Sequence, residues 1–175
     1  IAADDLLASH GVDILFHALG AGVVMQDERC ITALLVETKA GRQAVAAELF
    51  IDCSGDGDLA AWAGARFEVG DNAGSMLYPS MMFRLNGIDP ERAGEAWRTI
   101  PALMEKAEAS GTHRFPRKAA IVRPQRSPIE WRVNFTQLAR PDGSAINGLD
   151  PDDLTRGEID GRRQAIEAFN FLRTV

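Results

Sequence analysis

Phe50-Ile51-Asp52-Cys53-Ser54-Gly55-Asp56-Gly57-Asp58-Leu59-Ala60 is the stretch on which the reading of this chain turns. Leu49, Phe50 and Ile51 are consecutive apolar residues, the pattern of a strand buried on both faces. Two glycines then give a tight bend. Residues 59–63 read as a short helix, with Asp58 as its N-cap and Gly64 as its stop. Glycine lets the backbone approach a ligand without a Cβ in the way, and a helix N-terminus offers unpaired N–H groups to an anion. A phosphate-bearing cofactor at this bend is therefore physically reasonable. Asp56 and Asp58 would repel a phosphate set directly on them, so they fit better as a helix cap and as acceptors for sugar or ribityl hydroxyls. A plain strand–turn–helix connection with an Asp cap also accounts for the same residues.

Working outward, residues 2–9 carry Leu6 and Leu7 on a helical pattern that Gly11 ends, with His10 as a C-terminal cap partner. Residues 12–16 read as a short strand. Residues 22–26, 31–38 and 43–53 are three strand-like runs joined by short turns, so neighbours should be antiparallel. Downstream, residues 80–85 read as a strand. Asp89-Pro90 opens a helix that Pro101 breaks or restarts and that ends near Gly111. Residues 114–128 are irregular and Pro-containing. Residues 130–138 alternate, with Trp131, Val133 and Phe135 on one face and Arg132, Asn134 and Thr136 on the other. Asp150-Pro151 opens a final helix, with Ile159, Ile166, Phe169 and Leu172 along one side.

The 175 residues are 46% hydrophobic and 25% charged, which suits a soluble globular chain and excludes disorder throughout. No apolar run is long enough to span a membrane. The net charge of −6 argues against a nucleic acid or an anionic membrane as partner. Cys30 and Cys53 are too few for a thiolate zinc site, and no signal peptide precedes them, so a reduced, cytoplasmic setting is expected. The chain opens on Ile1 in helical sequence and stops within an amphipathic helix. A fragment of a longer protein is expected, with a natural short protein as the alternative.

Residues 51–65, Ile-Asp-Cys-Ser-Gly-Asp-Gly-Asp-Leu-Ala-Ala-Trp-Ala-Gly-Ala, resemble the Ile-Asp-Ala-Thr-Gly-Asp-Gly-Asp-Leu-Ala segment of FAD-dependent oxidoreductases with a glutathione-reductase-like FAD domain. Gly11-Val12-Asp13, the run 31–38 and Gly41-Arg42 are similar to the three-stranded meander of that domain. Val133-Asn134-Phe135-Thr136, Asp150-Pro151-Asp152-Asp153-Leu154-Thr155 and Gly161-Arg162-Arg163-Gln164 are looser likenesses. The resemblance implies FAD as cofactor, with Ser54, Gly55 and Asp56 facing its diphosphate and adjoining sugar, and Leu19 or its neighbours near the adenine. Ser54 stands where Thr is usual and keeps the hydroxyl. Cys53 stands where Ala is usual. No Gly-x-Gly-x-x-Gly fingerprint is present, so this chain alone is expected to hold FAD weakly or not at all.

The expected architecture is α/β with a substantial antiparallel part. Residues 1–78 would form part of an FAD-binding domain, with a three-stranded meander and a strand–turn–helix. Residues 79–149 would form an antiparallel substrate-domain sheet with helices, and 150–175 a helix returning to the FAD domain. The implied activity is flavin-mediated hydride transfer on an unidentified small molecule, and no catalytic residue is assigned. A non-catalytic α+β binding or interaction module and a flavin-dependent isoprenoid double-bond reductase are the alternatives. The oligomeric state is left open. Among other residues, Cys53 reads as a buried small residue ending a strand, with a redox thiol as the alternative. Cys30 reads as inert in or beside a turn, and His17 as a surface residue. His113 reads as a solvated loop histidine, with general acid or base as the alternative. Met76, Tyr78, Met81, Met82 and Phe83 read as a core strand or a pocket lining. Trp62 and Trp131 read as core. Arg123, Arg126 and Arg132 read either as a bidentate site for an acidic substrate or as a solvated face paired with carboxylates.

Overall fold

Short turns between apolar runs dictate a meander. The computed structural model, which describes residues 2–71 and 73–175, contains one. Strands β1 (Leu19–Asp27), β2 (Cys30–Thr38) and β3 (Gly41–Ala46) form an antiparallel sheet in the order β1-β2-β3. The helix α1 (Ala2–Ser9) precedes it and ends as expected. Gly11 is left-handed, Val12 N–H donates to the Leu7 carbonyl, and the His10 ring lies 2.9 Å from the Leu6 carbonyl. The helix α2 (Asp58–Trp62) packs on β1. The Trp62 ring comes within 3.8 Å of where a Cβ on Gly20 would stand. Residues Ile1–Glu68 make up this first compact unit, in which Ala33 and Val36 of the central strand are the buried apolar residues described.

Four expectations fail in this unit. Residues 12–16 form no strand, and the first strand begins at Leu19. The third strand stops at Ala46, and the run Leu49–Ile51 is not a strand; Leu49 and Ile51 are each 77% exposed. An apolar triplet makes a buried strand only where neighbouring strands pair with it, and no described strand lies beside this one. Cys53, read as buried, is exposed, and Trp62, read as core, is 42% exposed.

Residues Val69–Val175 form the second unit. Strands β4 (Phe83–Asn86), β5 (Ile121–Pro124) and β6 (Glu130–Asn134) make an antiparallel sheet with β6 in the centre. The alternation read from the sequence over 130–138 holds for 130–134, where the strand ends. Leu85, Val122, Trp131 and Val133 are buried and pack with Phe115, Phe135 and Phe171, and with Ile100 and Met104 of α4 (Ala96–Ala109). Thr136, assigned to the outer face, is also buried. Its hydroxyl accepts from Met81 N–H at 2.6 Å and donates to the Met81 carbonyl at 3.0 Å. The two predicted Asp-Pro caps are present. Asp89 accepts from Glu91 and Arg92 N–H at the start of α3 (Pro90–Ala93), and Asp150 accepts from Asp152 and Asp153 N–H at the start of α5 (Pro151–Leu172). The break falls at Gly94 (φ 47°), whereas α4 runs through Pro101. Proline there removes one hydrogen bond near the helix start, and burial of Ile100 and Met104 offsets it.

The face that α5 buries is not the one its large residues suggest. Gly157, Gly161, Ala168 and Phe171 are buried, while Ile159, Ile166 and Phe169 are exposed. The reason is steric. A Cβ on Gly161 would stand 3.1 Å from Met81 and 3.2 Å from Leu138, and one on Gly157 would overlap Ile146. Missing side chains let the helix backbone come down on those residues, and wider ones would hold it off.

One charged group is buried in this contact. Asp153 is 1% exposed. Its Oδ2 accepts from Asn147 N–H at 3.0 Å and Arg140 Nε at 2.6 Å, and its Oδ1 accepts from Arg156 Nη2. The Asn147 N–H foremost, with the two arginines, holds its carboxyl down at about 2 against the penalty of burial.

Phe171→Ala should cost about 3–5 kcal/mol, as truncation of a buried aromatic does, read as a lower urea midpoint. Because Asp153 has a folded-state value below its ordinary 3.8, its stabilising contribution is complete above that value and is lost as pH falls through about 2. Asp153→Asn should remove that part of the stability–pH profile and lower stability at neutral pH, both measurable by thermal unfolding across a pH series.

Candidate functional site

The bend at residues 52–60 is held by two side chains. Asp52 Oδ1 accepts from Ser54 N–H at 3.0 Å, and Oδ2 reaches eight residues ahead to Ala60 N–H at 3.1 Å. The Ser54 hydroxyl oxygen accepts from Gly57 N–H at 3.1 Å and Asp58 N–H at 3.0 Å. The Ser54 N–H foremost, with the Ser54 hydroxyl and Ala60 N–H, holds the Asp52 carboxyl below the usual carboxylate range. The capping differs from the sequence expectation. Gly57, in the left-handed conformation at φ 75°, is the N-cap, and Asp58 is the first helical residue. Asp52 and Ser54 do the capping that Asp58 was expected to do.

Consequently the Asp58 and Ala60 N–H groups at the start of α2 already have acceptors within the bend. The open donors are at the apex. Among the described residues, the N–H groups of Gly55 and Asp56 have no acceptor. Gly55 has φ 98°, and no atom lies within 4 Å of where a Cβ on Gly55 or Gly57 would stand. Both residues thus offer bare backbone to open space, as close approach by a phosphate oxygen requires. Asp56 and Asp58 leave the rim acidic, which suits hydroxyl recognition beside such a contact.

Leu19 is the first residue of β1, opposite Glu37, and is 72% exposed. With His17, Ala18, Thr38 and Lys39 it lines an open depression of about 440 Å³. His17, read as a surface residue, is exposed and has φ 55°, the sole positive value among the described non-glycine residues. The site that sequence alone outlined is thus a bend with a strand start in the same unit. The helix that follows the bend packs on the strand that Leu19 opens.

Other candidates are placed differently. His113 is a loop residue, but half-buried: its ring stacks on Phe115 at 5.8 Å and meets Phe171 edge-on at 5.3 Å. Met76 and Tyr78 line a cavity of about 600 Å³ with Val69, Arg140 and Asn147. Met81 packs on Gly161, and Met82 is exposed. Cys30 is a free, exposed thiol at the start of β2. Arg123 and Arg132 lie opposite each other on β5 and β6, and Arg126 lies in the turn between them. Asp52, Arg84 and the Asp153–Arg140–Arg156 cluster were not singled out from sequence. Asp52 directly precedes the bend and could have been found as an Asx-type acceptor. The other groups depend on strand pairing and helix packing that no local pattern encodes. Among the described residues, no helix is long and apolar enough to cross a membrane, and no group of His, Cys, Asp or Glu is placed to hold a metal ion.

A family model described as FAD dependent oxidoreductase matches residues 1–175, the whole chain. No curated protein and no solved structure matches it. The mixed α/β architecture with two small antiparallel sheets is consistent with part of an FAD-binding domain.

Gly55→Val places a β-branched residue at positive φ, which costs on the order of 1–3 kcal/mol. The expected result is a lower unfolding midpoint, together with faster hydrogen exchange at the Gly57, Asp58 and Ala60 amides that Ser54 and Asp52 hold.

Proposed function

The chain belongs to the FAD-dependent oxidoreductase family, and on that premise we propose that it forms the diphosphate-facing part of a glutathione-reductase-like FAD site in an enzyme that transfers hydride to or from a small molecule. The observation that carries the reading is the apex of the 52–60 bend, two acceptor-free N–H groups on backbone that carries no side chain at Gly55. Ser54 and Asp52 fix the bend. Gly55 and Asp56 N–H would donate to a diphosphate oxygen, and the Asp56 carboxylate would accept from an adjoining sugar hydroxyl. The depression at Leu19 offers backbone groups at a strand start, which suits the adenine. The flavin, when bound, supplies the hydride chemistry, and this chain's residues supply binding and orientation.

Residues 1–78 are assigned to the cofactor side, and the sheet within 79–149 to the substrate side. The second unit ends with α5, whose Phe171 lies in that unit's own core. The setting is proposed as cytoplasmic. Because the chain carries no dinucleotide glycine fingerprint, its own grip on FAD is proposed to be weak.

The visible spectrum of the intact protein tests this. Flavin absorbance is expected, and Gly55→Val should lower flavin occupancy severalfold at equal folded protein. This chain alone should lose flavin on gel filtration. An intact protein that is colourless, and stays so after incubation with FAD, would overturn the proposal and leave a non-catalytic module as the reading.

A further inference from the structure

The outer face of the second sheet carries three arginines in a row. Arg84 on β4 is paired directly with Arg132 on β6, and Arg132 is paired directly with Arg123 on β5. All three are exposed. Residues directly opposite in antiparallel strands have Cα atoms roughly 4.5–5.5 Å apart, so the row spans about 10 Å. Like charges in direct cross-strand opposition are destabilising, and here the opposition occurs twice. No carboxylate neutralises it: Arg84 and Arg132 have no hydrogen-bond or ion-pair partner among the described residues. Arg123 donates only to the Val122 carbonyl, and its guanidinium lies 5.2 Å from the Trp97 ring centre. The contrast within the unit is direct, since Arg140 and Arg156 both engage Asp153. On a chain of net charge −6, the uncompensated pair Arg84 and Arg132, extended by Arg123 with only a ring and a carbonyl as partners, is unexplained by folding.

We propose that this face binds a compact small molecule bearing two or three carboxylate groups, held in bidentate fashion by Arg84 and Arg132 with Arg123 at the end of the row. Charge complementarity and planar fork geometry suit carboxylates. The row is one residue deep. Along β6 it gives way to Glu130 on one side and Asn134 on the other, and the partner positions there are Asn86 and Ile121. A nucleic-acid strand or an anionic bilayer would find no continuing basic track and would meet the acidic remainder of the chain. A small ligand needs only the row. The assignment rests on the second unit alone and does not depend on the flavin.

Citrate is the probe, with acetate at matched ionic strength as control, titrated into the chain at low salt by calorimetry and by NMR of the arginine Nε–H signals. Saturable binding of citrate is expected, with shifts at Arg84 and Arg132 and no saturation by acetate. Arg132→Gln should weaken binding by about tenfold, the size of one lost charge-assisted contact. It should also raise the thermal midpoint of the citrate-free protein by a few degrees, because the central like charge is gone. Arg84→Gln, at the edge of the row, should weaken binding similarly. Equal binding by acetate, unchanged citrate affinity in both variants, or a lower midpoint or failure to fold for Arg132→Gln would each overturn the proposal.

Discussion

The Asp52 carboxylate is the constraint on which the candidate site depends. It ties Ser54 N–H, at the start of the bend, to Ala60 N–H, inside the helix that follows. A chain with glycines at 55 and 57 would otherwise have wide freedom, and that freedom is costly to lose on folding. One carboxylate and one hydroxyl remove it by satisfying Ser54, Gly57, Asp58 and Ala60 from within. The same bonds decide where a ligand can be met. By occupying the Asp58 and Ala60 N–H groups they leave the apex as the more open contact for an anion. An anion at this bend would be met by bare backbone and not by a helix dipole, which a helix of five residues would supply only weakly.

What could be read from the sequence follows how local the physics is. The caps Asp89-Pro90 and Asp150-Pro151 were legible because a capping carboxylate, a proline of fixed φ and the N–H groups it satisfies lie within four consecutive residues. The strand around Trp131 and Val133 was legible because alternation is itself a consequence of burial on one face. The meander and its short turns were legible for a similar reason, and so was the bend at 54–56 as a bend. The run Leu49–Ile51 was misread because a strand exists only with a neighbour, and no residue within the run reports whether one is present.

The misread face of α5 is a separate matter. Counting large apolar residues picks out Ile159, Ile166 and Phe169, yet the helix turns its glycines inward. Packing decides by fit as well as by hydrophobicity. Leu138, Ile146 and Met81 fill the space that side chains at 157 and 161 would have taken. The buried Asp153 reinforces that orientation. Removing a carboxylate from water is tolerable only with a full set of donors, and the Asn147 N–H, Arg140 and Arg156 supply it only when this face of α5 meets the 139–147 loop. Glycine fit and carboxylate satisfaction therefore select the same rotation of the helix about its axis.

The second unit treats its arginines in two ways, and the difference is in the solvent. At Asp153 the carboxylate is shielded from water, so it must be matched, and the partly exposed Arg140 and Arg156 serve it structurally. On the outer face of β4, β6 and β5 water and salt screen the repulsion, since the Debye length at physiological ionic strength is about 8 Å. Cross-strand pairs are worth only about 0.2–1 kcal/mol each, so the sheet survives with no carboxylate on Arg84, Arg132 or Arg123 because its inner face buries Leu85, Val122, Trp131 and Val133. A core strong enough to tolerate the repulsion explains how the row can persist, but not why three cations should be aligned. Scattering them would cost the fold nothing. Alignment gains something only where an anion of matching size approaches, because then the three fields add at one place.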